Sequence, residues 1–126
     1  MEKKIILDTC IFIDHFRGYS PAVQLFSSFT DEEIGFSAIT ESELLRGTIN
    51  NSVEKRELLL QFLEQWEKIN VDNPLALHAG DLSRIYSIAI PDAIIAATAL
   101  QERATLFTRN VKDFQKIKGL KVVSPY

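Results

Sequence analysis

Ile90-Pro91-Asp92-Ala93-Ile94-Ile95-Ala96-Ala97-Thr98-Ala99-Leu100 decides the fold of this 126-residue chain. Ile90-Pro91-Asp92 starts a helix, because proline suits the first turn and an acid favours the N-terminal end. From Ala93 to Leu100 that helix carries little charge on any side, so neighbouring elements must bury it. Shortly afterwards Thr105–Thr108 reads as a strand, Val111–Ile117 as a short helix and Leu120–Val123 as a last strand. Just upstream, Asn73-Pro74 opens an amphipathic helix with Leu75, Ala79, Leu82, Tyr86 and Ala89 on one face.

The N-terminal half repeats the alternation. Lys4–Leu7 is a short aliphatic run ending at Asp8 and reads as a buried strand. Ser20-Pro21 reads as a capping serine and first-turn proline, followed by Ala22, Leu25, Phe26 and Phe29 at helical spacing. Ile34–Ile39 is a second strand, and Thr40-Glu41-Ser42-Glu43 matches a capping box opening a helix towards Gly47. Asn50-Asn51-Ser52 reads as a turn and a new cap, ahead of Leu59, Phe62, Leu63, Trp66 and Ile69 at helical spacing. Strands alternating with helices imply a mainly parallel central sheet with helices on both faces. No repeat, linker or low-complexity tract interrupts it, so residues 1–126 are expected to form one α/β domain.

Composition agrees with a globular domain: 46% of residues are apolar and 25% charged, which excludes disorder, collagen and fibrous coiled coil. A single cysteine, Cys10, forbids an intrachain disulfide and suits a reducing compartment. No apolar run is long enough to span a bilayer. The expectation is a cytoplasmic protein with no membrane partner. The net charge of −3 argues weakly against nucleic acid. If four acids gather around a cation, however, 14 basic groups face the other 13 acidic ones, and bulk charge ceases to decide the partner.

In open α/β sheets, ligands collect outside the carboxyl ends of the strands. Asp8 and Asp113 follow strands, while Glu43 and Asp92 lie in the first turns of helices. Four acids from four distant segments are therefore expected to meet at one edge of the sheet. Such a cluster repels itself unless protons or a hard cation neutralise it, and oxygen donors without clustered His or Cys suit Mg²⁺ or Mn²⁺. Each acid also has a plainer account. Glu43 is the reciprocal partner of the capping box, Asp92 serves a helix N-terminus, and Asp113 sits in the charge-rich stretch from Arg109 to Lys118. Asp8 alone, at a strand end, has no cap or dipole to serve. His15 and His78 lack metal-ligand spacing, and Trp66 and the phenylalanines fall mostly at core positions.

Taken together the segments resemble the PIN-domain ribonucleases, particularly the VapC-type toxins of prokaryotic toxin–antitoxin pairs. Ile5-Ile6-Leu7-Asp8-Thr9 is similar to the family's opening strand and first acid. Glu43-Leu44-Leu45-Arg46-Gly47 resembles the second motif, and Pro91–Leu100 with Asp92 the third. Thr108-Arg109-Asn110-Val111-Lys112-Asp113-Phe114 resembles the fourth. Cys10 stands where the family usually has serine or asparagine, so a polar contact to metal or phosphate is expected to be missing there. Glu41 also precedes the motif acid, although the Leu-Leu-Arg-Gly that follows favours Glu43.

The resemblance implies a metal-dependent endoribonuclease. It makes Asp8 and Asp92 direct ligands of Mg²⁺ or Mn²⁺, Glu43 and Asp113 outer or second-metal ligands, and Thr108 and Asn110 supports for the phosphate or for Asp113. Arg17, Arg46, Arg109 and Lys112 are the candidates for positioning the RNA backbone. It further implies a cognate antitoxin and a homodimer. The alternatives are a PIN nuclease of RNA processing without an antitoxin, and a non-catalytic PIN-fold interaction module. A signalling receiver domain fails, because no aspartate lies between Asp31 and Asp72 to accept phosphate.

Overall fold

Ile5, Ile6 and Leu7 carry no polar group on either side, so a strand made of them is stable only in the middle of a covered sheet. The computed structural model describes residues 3–47 and 51–126 and puts that strand, β1 (Lys4–Leu7), at the sheet's centre. The remaining strands are β2 (Glu33–Ser37), β3 (Glu67–Ile69), β4 (Thr105–Phe107) and β5 (Lys121–Val123). Their spatial order is β3-β2-β1-β4-β5, and every pairing is parallel.

Seven helices accompany the strands among the described residues: α1 (Thr9–Phe16), α2 (Ser20–Ser28), α3 (Ala38–Arg46), α4 (Val53–Leu63), α5 (Asn73–Tyr86), α6 (Ile90–Gln101) and α7 (Val111–Phe114). Side chains alternate across a strand, and β1 divides accordingly. Ile6 joins a core with α5, α6 and Leu106, while Ile5 and Leu7 join a second with α1, α2, α3, α4 and Phe36. The sheet is therefore covered on both faces, as the alternating sequence requires. The apolar helix around Ala93–Leu100 is buried along most of its length, with Ala93, Ile95, Ala96, Ala97, Thr98 and Ala99 inaccessible. No single described helix is long and apolar enough to cross a membrane.

Several boundaries differ from those expected. The second strand stops at Ser37, whose hydroxyl accepts the Ile39 N–H at 3.2 Å and caps α3. Thr40 thus lies inside the helix, and no capping box forms there. Ser20 is likewise already helical; its hydroxyl accepts from the Gln24 amide instead of capping. Ser52 caps α4 as expected, accepting the Lys55 N–H, whereas Asn50 of the expected turn lies outside the described residues. The last short helix ends at Phe114 rather than at Ile117. Helix α1 and strand β3 have no counterpart in the sequence reading. Thr9–Phe16 spans only about two turns and opens on the apolar run Cys10–Ile13, so its periodicity is hidden. β3 has only three residues, stabilised by its register against Gly35, Phe36 and Ser37.

Candidate active site

Strand order reverses between β1 and β4, since the chain passes from β1 to β2 and β3 on one side and returns to β4 on the other. Loops diverge from such a switch point and leave a crevice at the carboxyl ends of the strands. Asp8 follows β1 and Thr108 follows β4, so both flank the crevice. The Thr108 hydroxyl donates to Asp8 Oδ2 at 2.7 Å and accepts the Asn110 N–H at 2.9 Å. Thr108 is wholly buried; it anchors Asp8 rather than Asp113, which corrects one of the expected roles.

Asp8 is a cap after all. It is the N-cap of α1, and its Oδ1 accepts the Thr9 N–H at 2.8 Å. The expectation that this acid serves no cap is corrected by α1, a helix too short to show a period in the sequence. Burial pushes the Asp8 carboxyl above its ordinary value. Donation from Thr108, Cys10 and the Thr9 N–H, and the charge of Arg109, oppose that rise.

Thr9 links two of the acids. Its backbone binds Asp8, while its hydroxyl donates to Glu43 Oε1 at 2.6 Å and lies 2.9 Å from the buried Thr40 hydroxyl. Glu43 on α3 is thereby tied to the first turn of α1, not to the start of its own helix. Asp92 lies in the first turn of α6, part-buried. Its carboxyl is pushed up to about 6, chiefly by burial and then by the charges of Asp8, Glu43 and Asp113. All four carboxylates therefore share one field. Asp113, in α7, is the exposed member of the set.

Cys10 contacts the acid beside it. Its thiol donates weakly to Asp8 Oδ2 at 3.4 Å and lies 3.8 Å from the Thr108 hydroxyl. Burial and the Asp8 charge push that thiol up to about 11, so it remains a protonated donor in place of a hydroxyl.

The basic candidates separate into two groups. Arg109 is held by Asp14, Nε to Oδ2 at 2.7 Å, and shares with Arg17 a pocket of about 410 Å³. Arg46 and Lys112 are exposed at the end of α3 and on α7. Asp14, Thr9, Thr40 and Tyr126 were absent from the sequence-derived set. Asp14 carried a readable signal, being an acid that directly follows the apolar run Cys10–Ile13. Tyr126, which donates to Asp14 Oδ2 at 2.6 Å from 112 positions away, carried none.

Oxygen donors alone fit a hard divalent cation such as Mg²⁺ or Mn²⁺. Among the described residues, however, no three His, Cys, Asp or Glu side chains stand close enough to form a finished cage. The donor chemistry of the set is that of a hard-cation site.

A family model described as the PIN domain matches residues 5–120. The chain is 34% identical over 131 residues to ribonuclease VapC1 of Rickettsia felis, covering 95% of each protein. It is 32% identical over 122 residues to ribonuclease VapC19 of Mycobacterium tuberculosis, covering 91% of this chain and 95% of the relative. A toxin–antitoxin complex from Klebsiella pneumoniae contains a chain that superposes with a TM-score of 0.83 at 34% identity, covering 97% of this chain and 98% of the other.

Proposed function

This chain belongs to the PIN-domain family, and on that premise we propose that it is a metal-dependent endoribonuclease, the toxin of a VapBC-type toxin–antitoxin pair. The observation that carries the reading is the chain of bonds Glu43–Thr9–Asp8–Thr108 at the switch point of the sheet. It gathers acids from separate segments in the crevice where open α/β folds bind ligands. Asp92, half-buried and facing the charges of three other carboxylates, adds the unneutralised negative charge that a cation would relieve.

In this reading Asp8 and Asp92 would hold Mg²⁺ or Mn²⁺, and Glu43 and Asp113 would complete the set. The cation, when bound, supplies charge stabilisation at the scissile phosphodiester and lowers the pKa of water. Thr108, Thr9 and Cys10 fix the Asp8 carboxylate, and Asn110 orients Thr108 through its backbone N–H. Glu43 and Asp113 orient the attacking water. Arg17, Arg46, Arg109 and Lys112 position the RNA backbone, which needs cations at a site that is otherwise acidic.

The antitoxin partner rests on the Klebsiella complex and on the named relatives. A homodimer and a cytoplasmic location, without membrane, complete the proposal; exposed Leu77, Ile85 and Ile90 are available for self-association. The test is cleavage of total cellular RNA by the purified chain with Mn²⁺, with EDTA, and as Asp8→Asn. Metal-dependent fragments lost in the variant support the reading. Intact RNA in every lane refutes catalysis and leaves the interaction module. Co-expression of the neighbouring open reading frame then separates toxin from processing enzyme: without rescue of growth or co-purification, the antitoxin claim falls.

A further inference from the structure

Asp14 is a buried acid outside the catalytic set, and burying a carboxylate is costly unless it is well partnered. Its partners are Arg109 Nε at 2.7 Å and the Tyr126 hydroxyl at 2.6 Å, both on Oδ2. Tyr126 in turn meets Tyr19 edge-on, with ring centroids 5.6 Å apart. This arrangement fixes two things at the rim of one pocket: the Arg109 guanidinium and the Tyr19 ring.

The pocket of about 410 Å³ is lined by Asp14, Arg17, Gly18, Tyr19 and Arg109, within the range of about 300–1,000 Å³ for small-ligand sites. Tyr19 leaves 51% of its surface in solvent although its ring is braced. Arg17 is exposed and has no ion pair among the described residues. An exposed, braced aromatic ring beside two cations is the chemistry that accepts a base with its phosphate. The pocket is linked to the acids through the backbone. Arg109 directly follows Thr108, which donates to Asp8, and α1 runs from its Asp8 cap to Asp14, about 9 Å along its axis.

We propose that this pocket is a subsite for one unpaired nucleotide adjoining the scissile phosphate, with the base stacked on Tyr19 and the backbone met by Arg17. Asp14 and Tyr126 are positioning residues that hold Arg109 and Tyr19 in place. The inference rests on the ribonuclease reading for its substrate class. A base held there is unpaired, because a paired base cannot present its face to Tyr19.

The test measures binding of a labelled, unstructured RNA oligonucleotide, and of its duplex with a complementary strand, in Mg²⁺. The protein is the full chain carrying Asp92→Asn to suppress cleavage. Adding Tyr19→Ala should weaken single-strand binding about 5- to 100-fold, leave duplex binding unchanged and be rescued by Tyr19→Phe. Arg17→Ala should lower the salt slope for the single strand by about 0.7. Tyr126→Phe, which keeps the ring and removes only the bond to Asp14, should weaken the single strand without affecting the duplex. Unchanged single-strand affinity in Tyr19→Ala and Arg17→Ala overturns the subsite, as does an equal loss for strand and duplex. If wild-type protein cleaves RNA in that case, the nuclease reading survives without the subsite. If Tyr19→Ala loses the single strand selectively but wild type never cleaves, the subsite survives and the nuclease reading falls.

Discussion

Asp92→Asn removes one charge from the shared field while keeping the size of the side chain. In the metal-free protein the Asp92 carboxyl is pushed from 3.8 up to about 6, a difference worth about 3 kcal/mol in an unscreened site. Asp92 is only part-buried, and solvent screening reduces this to about 1 kcal/mol. A carboxyl whose folded value is raised holds its proton more tightly folded than unfolded. The destabilisation it causes is therefore absent below pH 3.8, grows between 3.8 and about 6, and is complete above that. In EDTA the variant should match wild type at the acid end and exceed it above pH 6. An advantage of about 1 kcal/mol is roughly 3–5 °C in melting temperature for a domain of this size. Thermal melts of both proteins across that range are the assay. If Asp92 merely serves the α6 dipole, Asn should instead cost a few tenths of a kcal/mol once the carboxylate is ionised. A variant that is less stable above pH 6, with normal RNA cleavage, would refute the shared field and the site built on it.

Saturating Mg²⁺ or Mn²⁺ should raise the melting temperature of wild type, by about 2.7 kcal/mol of stability at a hundredfold excess over Kd, and raise that of Asp92→Asn much less. Equal gains would place the cation elsewhere. Thr9→Val deletes the hydroxyl that binds Glu43 and meets buried Thr40. It should reduce cleavage at least about tenfold and cost about 1–3 kcal/mol in urea unfolding. Lys4, at the opposite end of the sheet, binds Glu102 at 2.5 Å and also Glu67 and Glu33. Lys4→Met should lose about 1–2 kcal/mol near neutral pH. Glu102 is held below 4.5 by Lys4, so its share is present above 4.5 and is lost as pH falls through the depressed value. Lys4 is raised above 10.5, chiefly by Glu102, so its share is present below 10.5 and is lost as pH rises through the raised value. A loss that ignores pH would contradict the pairing. Gly35→Ala would put a Cβ 2.8 Å from Ile69 Cδ1 and 3.1 Å from the Glu67 carbonyl. Overpacking between β2 and β3 should cost about 1–3 kcal/mol in urea, with cleavage intact.

The sequence by itself determined the α/β class and most of the element order, because hydrophobic periodicity is a local property. The uniformly apolar α6 and the aliphatic run of β1 can only be buried, and a parallel sheet covered on both faces is the fold that buries them. The candidate acids were legible too, since strand ends and helix starts fall at the same end of such a sheet. Tertiary structure alone decided how those acids are held. Thr108 anchors Asp8 from 100 positions away, Thr9 takes Glu43 across 34, and Tyr126 fixes Asp14 across 112. No local pattern encodes these pairings, because they depend on which strands become neighbours and where their order reverses. For the same reason the Thr40–Glu43 spacing misled. The Ser37 cap set the start of α3, and Thr40 and Glu43 were left facing the first turn of α1.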